Sequence, residues 1–125
     1  MIWTGILNLK KLIVASPDVG GTKRAATFAK KLHGLTDKEV PMVICYKHRE
    51  VANQVSEMRV LGDVYGKDVV IVDDMADTAG TLCKAAEVMK KAGAKSVRAV
   101  VSHGVMSGPA CERITDSELE EIVFT

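Results

Sequence analysis

The sequence carries no surplus of either charge, no paired cysteines and no long apolar run, and each absence removes a class of function. Its 17 Lys and Arg residues against 16 Asp and Glu leave a formal net charge of +1. There is then no global pull toward nucleic acid, and any affinity for anions must come from local arrangement. Cys45, Cys83 and Cys111 stand far apart, with no CxxC pair and no histidine at zinc-finger spacing. Reduced thiols are expected, with packing roles for Cys45 in its apolar run and for Cys83 on an alanine-rich helix. No apolar stretch approaches the roughly 18 residues of a spanning helix, and Met1-Ile2-Trp3-Thr4 lacks the basic n-region of a leader. A cytoplasmic protein without membrane or nucleic-acid partners is therefore expected. Repeats, low-complexity tracts and linkers are also missing.

What is present fits one α/β domain over residues 1–125, with 47% apolar and 26% charged residues. β-branched runs alternate with helix-like segments: Leu12 to Ala15, Thr22 to His33, Pro41 to Tyr46, Val69 to Val72, Ala79 to Ala92, Val97 to Val101, a helix opening near Pro109, and Ile122 to Phe124. That rhythm predicts a Rossmann-like parallel sheet flanked by helices. Leu12-Ile13-Val14-Ala15 and Val69-Val70-Ile71-Val72 show no polar alternation, as expected of central strands covered on both faces. Ala25, Phe28, Ala29 and Leu32 make an apolar stripe on the first helix, which Gly34 is expected to end. Leu82, Ala85, Ala86 and Met89 make the stripe of the second, which closes on Lys90-Lys91-Ala92-Gly93. Residues 47–60 are polar and read as a mobile loop leading into a short strand around Met58 to Leu61. The close on a strand at residues 122–125 suggests a fragment of something longer.

Two strand-to-helix junctions could carry chemistry. In the first, Val69 to Val72 run into Asp73-Asp74-Met75-Ala76-Asp77-Thr78-Ala79-Gly80-Thr81. Ligands of open α/β sheets sit beyond the carboxyl ends of strands. Free amides at the helix start, with the Thr78 and Thr81 hydroxyls, suit a phosphate, and Gly80 allows close approach of the backbone. Asp73 and Asp74 accept hydrogen bonds and suit the vicinal hydroxyls of a sugar. Phosphate plus diol points to ribose 5-phosphate; the plainer alternative is a helix capped by Asp77 or Thr78. The second junction is Ser16-Pro17-Asp18-Val19-Gly20-Gly21-Thr22-Lys23-Arg24. Its glycines permit a turn that aims amides at an anion, and Asp18 could ligate Mg2+; a simple turn and cap remains the other reading.

The first string resembles the phosphoribosyl-diphosphate motif of the type I phosphoribosyltransferase fold. With the second, the chain resembles the ribose-phosphate diphosphokinases, specifically their carboxy-terminal half. The resemblance implies that Asp77, Thr78, Ala79, Gly80 and Thr81 hold the 5-phosphate and Asp73 and Asp74 the ribose. It implies that Asp18, Val19, Gly20 and Gly21 bind diphosphate, with Mg2+ at Asp18. The family's flexible loop carries Lys-x-Arg followed by Ala-Asn, matched here by Lys47-His48-Arg49 and Ala52-Asn53, so Lys47 and Arg49 become the catalytic cations. This chain departs from the pattern at Tyr46, Glu50 and Val51, which lowers the loop's charge. His103, in Ser102-His103-Gly104, is as readily structural as site-lining.

The implied reaction transfers diphosphate from ATP to ribose 5-phosphate, giving phosphoribosyl diphosphate and AMP for nucleotide biosynthesis. Family enzymes are homo-oligomers of about twice this length, so the amino-terminal half is expected to be absent and the isolated chain to bind ribose 5-phosphate without being active alone. A nucleobase phosphoribosyltransferase, or a regulatory subunit without catalysis, are the other readings.

Overall fold

Branched apolar residues without polar interruption build the centre of the sheet. The computed structural model describes residues 11–36, 39–48, 57–75 and 79–124. Strand β1 (Leu12–Ser16) is buried at every position, and β4 (Asp68–Met75) is buried from Asp68 to Val72. They lie side by side and parallel, Val14 opposite Val70. Around them stand β2 (Met42–His48), β3 (Glu57–Leu61), β5 (Ser96–His103) and β6 (Glu121–Phe124), in the order β3-β2-β1-β4-β5-β6. Every pairing is parallel except β2 with β3, which is antiparallel.

Alternate residues of the central strands feed two cores. Leu12, Val14, Val70 and Val72 face helix α1 (Thr22–Thr36), meeting Ala25, Ala29 and Leu32 with Phe28 packed alongside. Ile13, Ala15, Val69 and Ile71 face helix α2 (Gly80–Lys91), meeting Leu82, Ala85, Ala86 and Met89. Both predicted stripes are therefore the buried faces. Small alanines let each helix approach the sheet closely. Gly93, with φ of 99°, ends α2 where a side chain would be strained. A third helix, α3 (Ala110–Thr115), packs on α2.

Two expectations change. Helix α1 does not stop at Gly34 but continues to Thr36, because an exposed glycine costs only about 1 kcal/mol and Gly34 takes no left-handed backbone here. Strand β2 runs on through Lys47 and His48, since Lys47 pairs with Met58 and His48 with Glu57. The polar residues there keep a strand partner in β3, so Lys47 belongs to a strand rather than to a loop. Pro109 stands at the cap position of α3 and offers no side-chain bond, and the Ser107 carbonyl accepts from Ala110 N–H at 3.3 Å.

At the amino end of the sheet, away from the loops described next, buried Ser96 donates to buried Asp68 at 2.6 Å. Arg98 donates to Ser96 and pairs with Glu120.

Candidate functional site

From β1 the chain moves to β2 on one side, and from β4 it moves to β5 on the other. The strand order therefore reverses between β1 and β4, and a crevice opens at their carboxyl ends, the position at which doubly wound sheets hold ligands. The two junctions singled out by sequence are the segments that follow β1 and β4. Topology brings them together.

After β4, Asp73 is half-buried and Asp74 exposed, and the Asp74 N–H donates to Asp73 Oδ1 at 2.8 Å. Helix α2 is preceded by Ala79 in the left-handed region, φ 64°, which offers no side-chain cap. Among the described residues, the helical bonding at this end starts with Cys83 N–H donating to the Ala79 carbonyl at 3.0 Å. The amides of Gly80, Thr81 and Leu82 thus have no acceptor within the helix and sit at its positive end. A cavity of about 250 Å³ is lined by Asp18, Asp73, Asp74, Ala79, Gly80 and Thr81 among others. The acidic residues and the start of α2 therefore line one space. Asp77 and Thr78 lie outside the described residues.

After β1, Asp18 caps a short 3-10 turn, Val19–Gly21, accepting from Gly21 N–H at 2.7 Å. Here the turn-and-cap reading holds, and Asp18 also lines the cavity beside Asp73. The two glycines do not take positive φ, so conformational freedom is not their purpose. Gly21 instead sits in a crowded place: a Cβ would stand 3.0 Å from Ser16 Oγ and 3.3 Å from Asp18 Oδ1, so a side chain there would make its neighbours shift. A second cavity, of about 440 Å³, lies between Pro17, Asp18, Val19, Tyr46 and Lys47. It shares Asp18 with the first, so Lys47 at the end of β2 faces the same loop. Arg49, Ala52 and Asn53 lie outside the described residues. His103 ends β5 beside Met75, exposed and next to the acidic pair in the sheet.

Sequence reasoning missed Arg24. Its guanidinium stands 3.9 Å from Asp73 Oδ1 and 3.4 Å from Asp74 Oδ2, crossing from the first turn of α1 to the end of β4. The only signal was its place three residues beyond Gly21. The acids themselves are split. Burial pushes Asp73 up to about 6, helped by the neighbouring Asp74 and Asp18 carboxylates and opposed by the Asp74 N–H. Asp74 is held below the ordinary carboxylate range, first by the hydrogen bond with the Asp73 side chain and then by Arg24. A neutral carboxyl donates as well as accepts, so the pair can both give and take hydrogen bonds from hydroxyl groups.

Cys45 is buried, and its thiol is pushed up to about 11 by that burial, which fits a packing role. Cys83 is half-buried and Cys111 exposed. Among the described residues no group of three His, Cys, Asp or Glu forms a metal cage, and no helix is long and apolar enough to cross a membrane.

Residues 3–125 match the family model of the phosphoribosyl transferase domain. A ribose-phosphate pyrophosphokinase of Porphyromonas gingivalis is 56% identical over 119 residues, 95% of this chain and 36% of that protein. One of Helicobacter hepaticus is 52% identical over 118 residues, 94% of this chain and 36% of that protein. Among solved structures, phosphoribosylpyrophosphate synthetase from Mycobacterium smegmatis superposes with a TM-score of 0.79 at 35% identity, covering 91% of this chain and 34% of that one. The chain spans about a third of the length of the curated relatives it matches.

Proposed function

The chain belongs to the phosphoribosyl transferase domain family, and from that premise we propose that it is the sugar-phosphate-binding domain of a ribose-phosphate diphosphokinase, part of the carboxy-terminal half of the two-domain enzyme. The observation that carries this reading is the 250 Å³ space in which Asp73 and Asp74 face the start of α2 with Asp18 alongside. Few ligands ask for an acidic wall and an anion-binding helix terminus within one small space. Ribose 5-phosphate does: its hydroxyls meet the carboxylates and its phosphate meets the amides of residues 80–82, with Asp77, Thr78 and Thr81 completing the loop.

The complete enzyme would join the ribose 1-hydroxyl oxygen to the β-phosphorus of ATP while the bond from that phosphorus to the α-phosphate oxygen breaks. The hydroxyl loses its proton and AMP departs. Such transfers depend on positioning and charge stabilisation more than on covalent help from the protein. Asp73 and Asp74 fix the sugar ring, and the residue 77–81 loop anchors its far end, which aims the 1-hydroxyl along the crevice. Val19, Gly20 and Gly21 present the backbone to the diphosphate. Lys47, across the 440 Å³ space from Asp18, would with Arg49 meet the charge that develops on the transferred group. The donor set around Asp18 suits Mg2+, which binds through one or two carboxylates together with water and substrate phosphates. When bound, that ion neutralises phosphate charge and aligns the diphosphate. The proposed partners are thus ribose 5-phosphate and ATP, in a cytoplasmic homo-oligomer.

Calorimetric titration of the folded chain with ribose 5-phosphate in the presence of Mg2+ tests the reading. Saturable binding in the millimolar range or tighter is expected, without AMP release from ATP by the isolated chain. The absence of heat at millimolar ligand would refute the sugar-phosphate assignment, and turnover by the chain alone would refute the need for a second domain.

A further inference from the structure

Adjacent residues on a strand send their side chains to opposite faces, and two neighbouring carboxylates repel each other. Asp73 and Asp74 at the end of β4 are subject to both tendencies, yet the proposed reading requires them to act on one sugar ring. Arg24 is the cation that reaches both, at 3.9 Å and 3.4 Å. It is carried by the first turn of α1, directly behind the Asp18–Gly21 turn. The missing side chain of Gly21 leaves room for it, since a Cβ there would stand 3.3 Å from Arg24 Nη1. Arg24 also lines a separate space of about 730 Å³ with Gly20 and Asp73.

We infer that Arg24 is a positioning residue, a planar fork that ties the diphosphate-side loop to the acidic end of β4 and holds Asp73 and Asp74 as a pair toward the sugar hydroxyls. A guanidinium has several donors in fixed geometry and can serve two carboxylates at once, whereas an ammonium acts as a point charge. A purely structural purpose is a poor account of it, because the Arg24 side chain is 39% exposed and ion pairs in such settings add little to stability. The inference rests on the sugar-phosphate reading of the site.

The test is calorimetric titration of the wild-type chain, R24A and R24K with ribose 5-phosphate and, separately, with inorganic phosphate, which needs only the start of α2. R24A should weaken ribose 5-phosphate about five- to twentyfold and leave phosphate within about twofold, with R24K recovering part of the loss. Unchanged ribose 5-phosphate affinity, an equal loss for both ligands, or full recovery by R24K would each overturn the positioning role. If R24A does not fold, R24K carries the test, and affinity for ribose 5-phosphate equal to wild type then overturns it. A wild-type chain that binds neither ligand would remove the sugar-phosphate reading itself, and the inference with it.

Discussion

Replacing Asp73 by Asn should make the protein more stable and less able to bind its ligand. Asp73 rises from 3.8 to about 6, chiefly because burial penalises its charged form. The folded state therefore holds this proton more tightly than the unfolded chain, and the stability it brings is complete only below the unfolded value and is lost as pH rises through about 6. At pH 8 the ionised carboxylate burdens the fold by a ceiling of about 3 kcal/mol. Solvent screening and the opposite displacement of Asp74 reduce this to about 1–2 kcal/mol. Asn imitates the protonated acid: its oxygen can still accept the Asp74 N–H, and its amide can donate to Asp74. D73N should thus raise the midpoint of thermal unfolding by about 4–8 °C at pH 8, with the gain shrinking steadily as pH falls from 7 toward 4. Ribose 5-phosphate should bind at least about tenfold more weakly, because an acceptor for a sugar hydroxyl is lost. Scanning calorimetry across that pH range and isothermal titration at pH 8 read the two effects. A D73N protein that is less stable at pH 8, or that follows the wild-type pH profile, would refute a desolvation cost at the half-buried Asp73.

Other substitutions separate scaffold from site. K47A should leave ribose 5-phosphate affinity within about twofold while weakening diphosphate about tenfold in titrations with each ligand, since Lys47 borders the Asp18 loop and not the start of α2. S96A removes the donor to buried Asp68 at the opposite end of the sheet and should cost about 1–3 kcal/mol in urea unfolding with ligand affinity unchanged. G93A should cost about 1–2 kcal/mol by the same measurement, because a non-glycine residue would have to adopt φ of 99° and displace the Tyr65 ring, 2.4 Å from the new Cβ.

The two central strands, the apolar stripes of α1 and α2 and the two ligand-loop candidates were legible in the amino-acid order, because each rests on local chemistry. Unbroken branched residues demand burial on both faces, apolar residues three and four apart make one helix face, and acids followed by Thr and Gly mark a strand end. That order also led to the family, through those two loops. Only the tertiary structure decided how far β2 extends, since the Lys47 and His48 strand conformation depends on β3 pairing from residues beyond the polar segment. It likewise decided that Asp18 shares a cavity with Asp73 and Thr81, and that Arg24 reaches across to the acidic pair. These are relations between residues about fifty positions apart. Hydrophobic pattern does not encode such relations, whereas the reversal of strand order between β1 and β4 does bring them into one crevice.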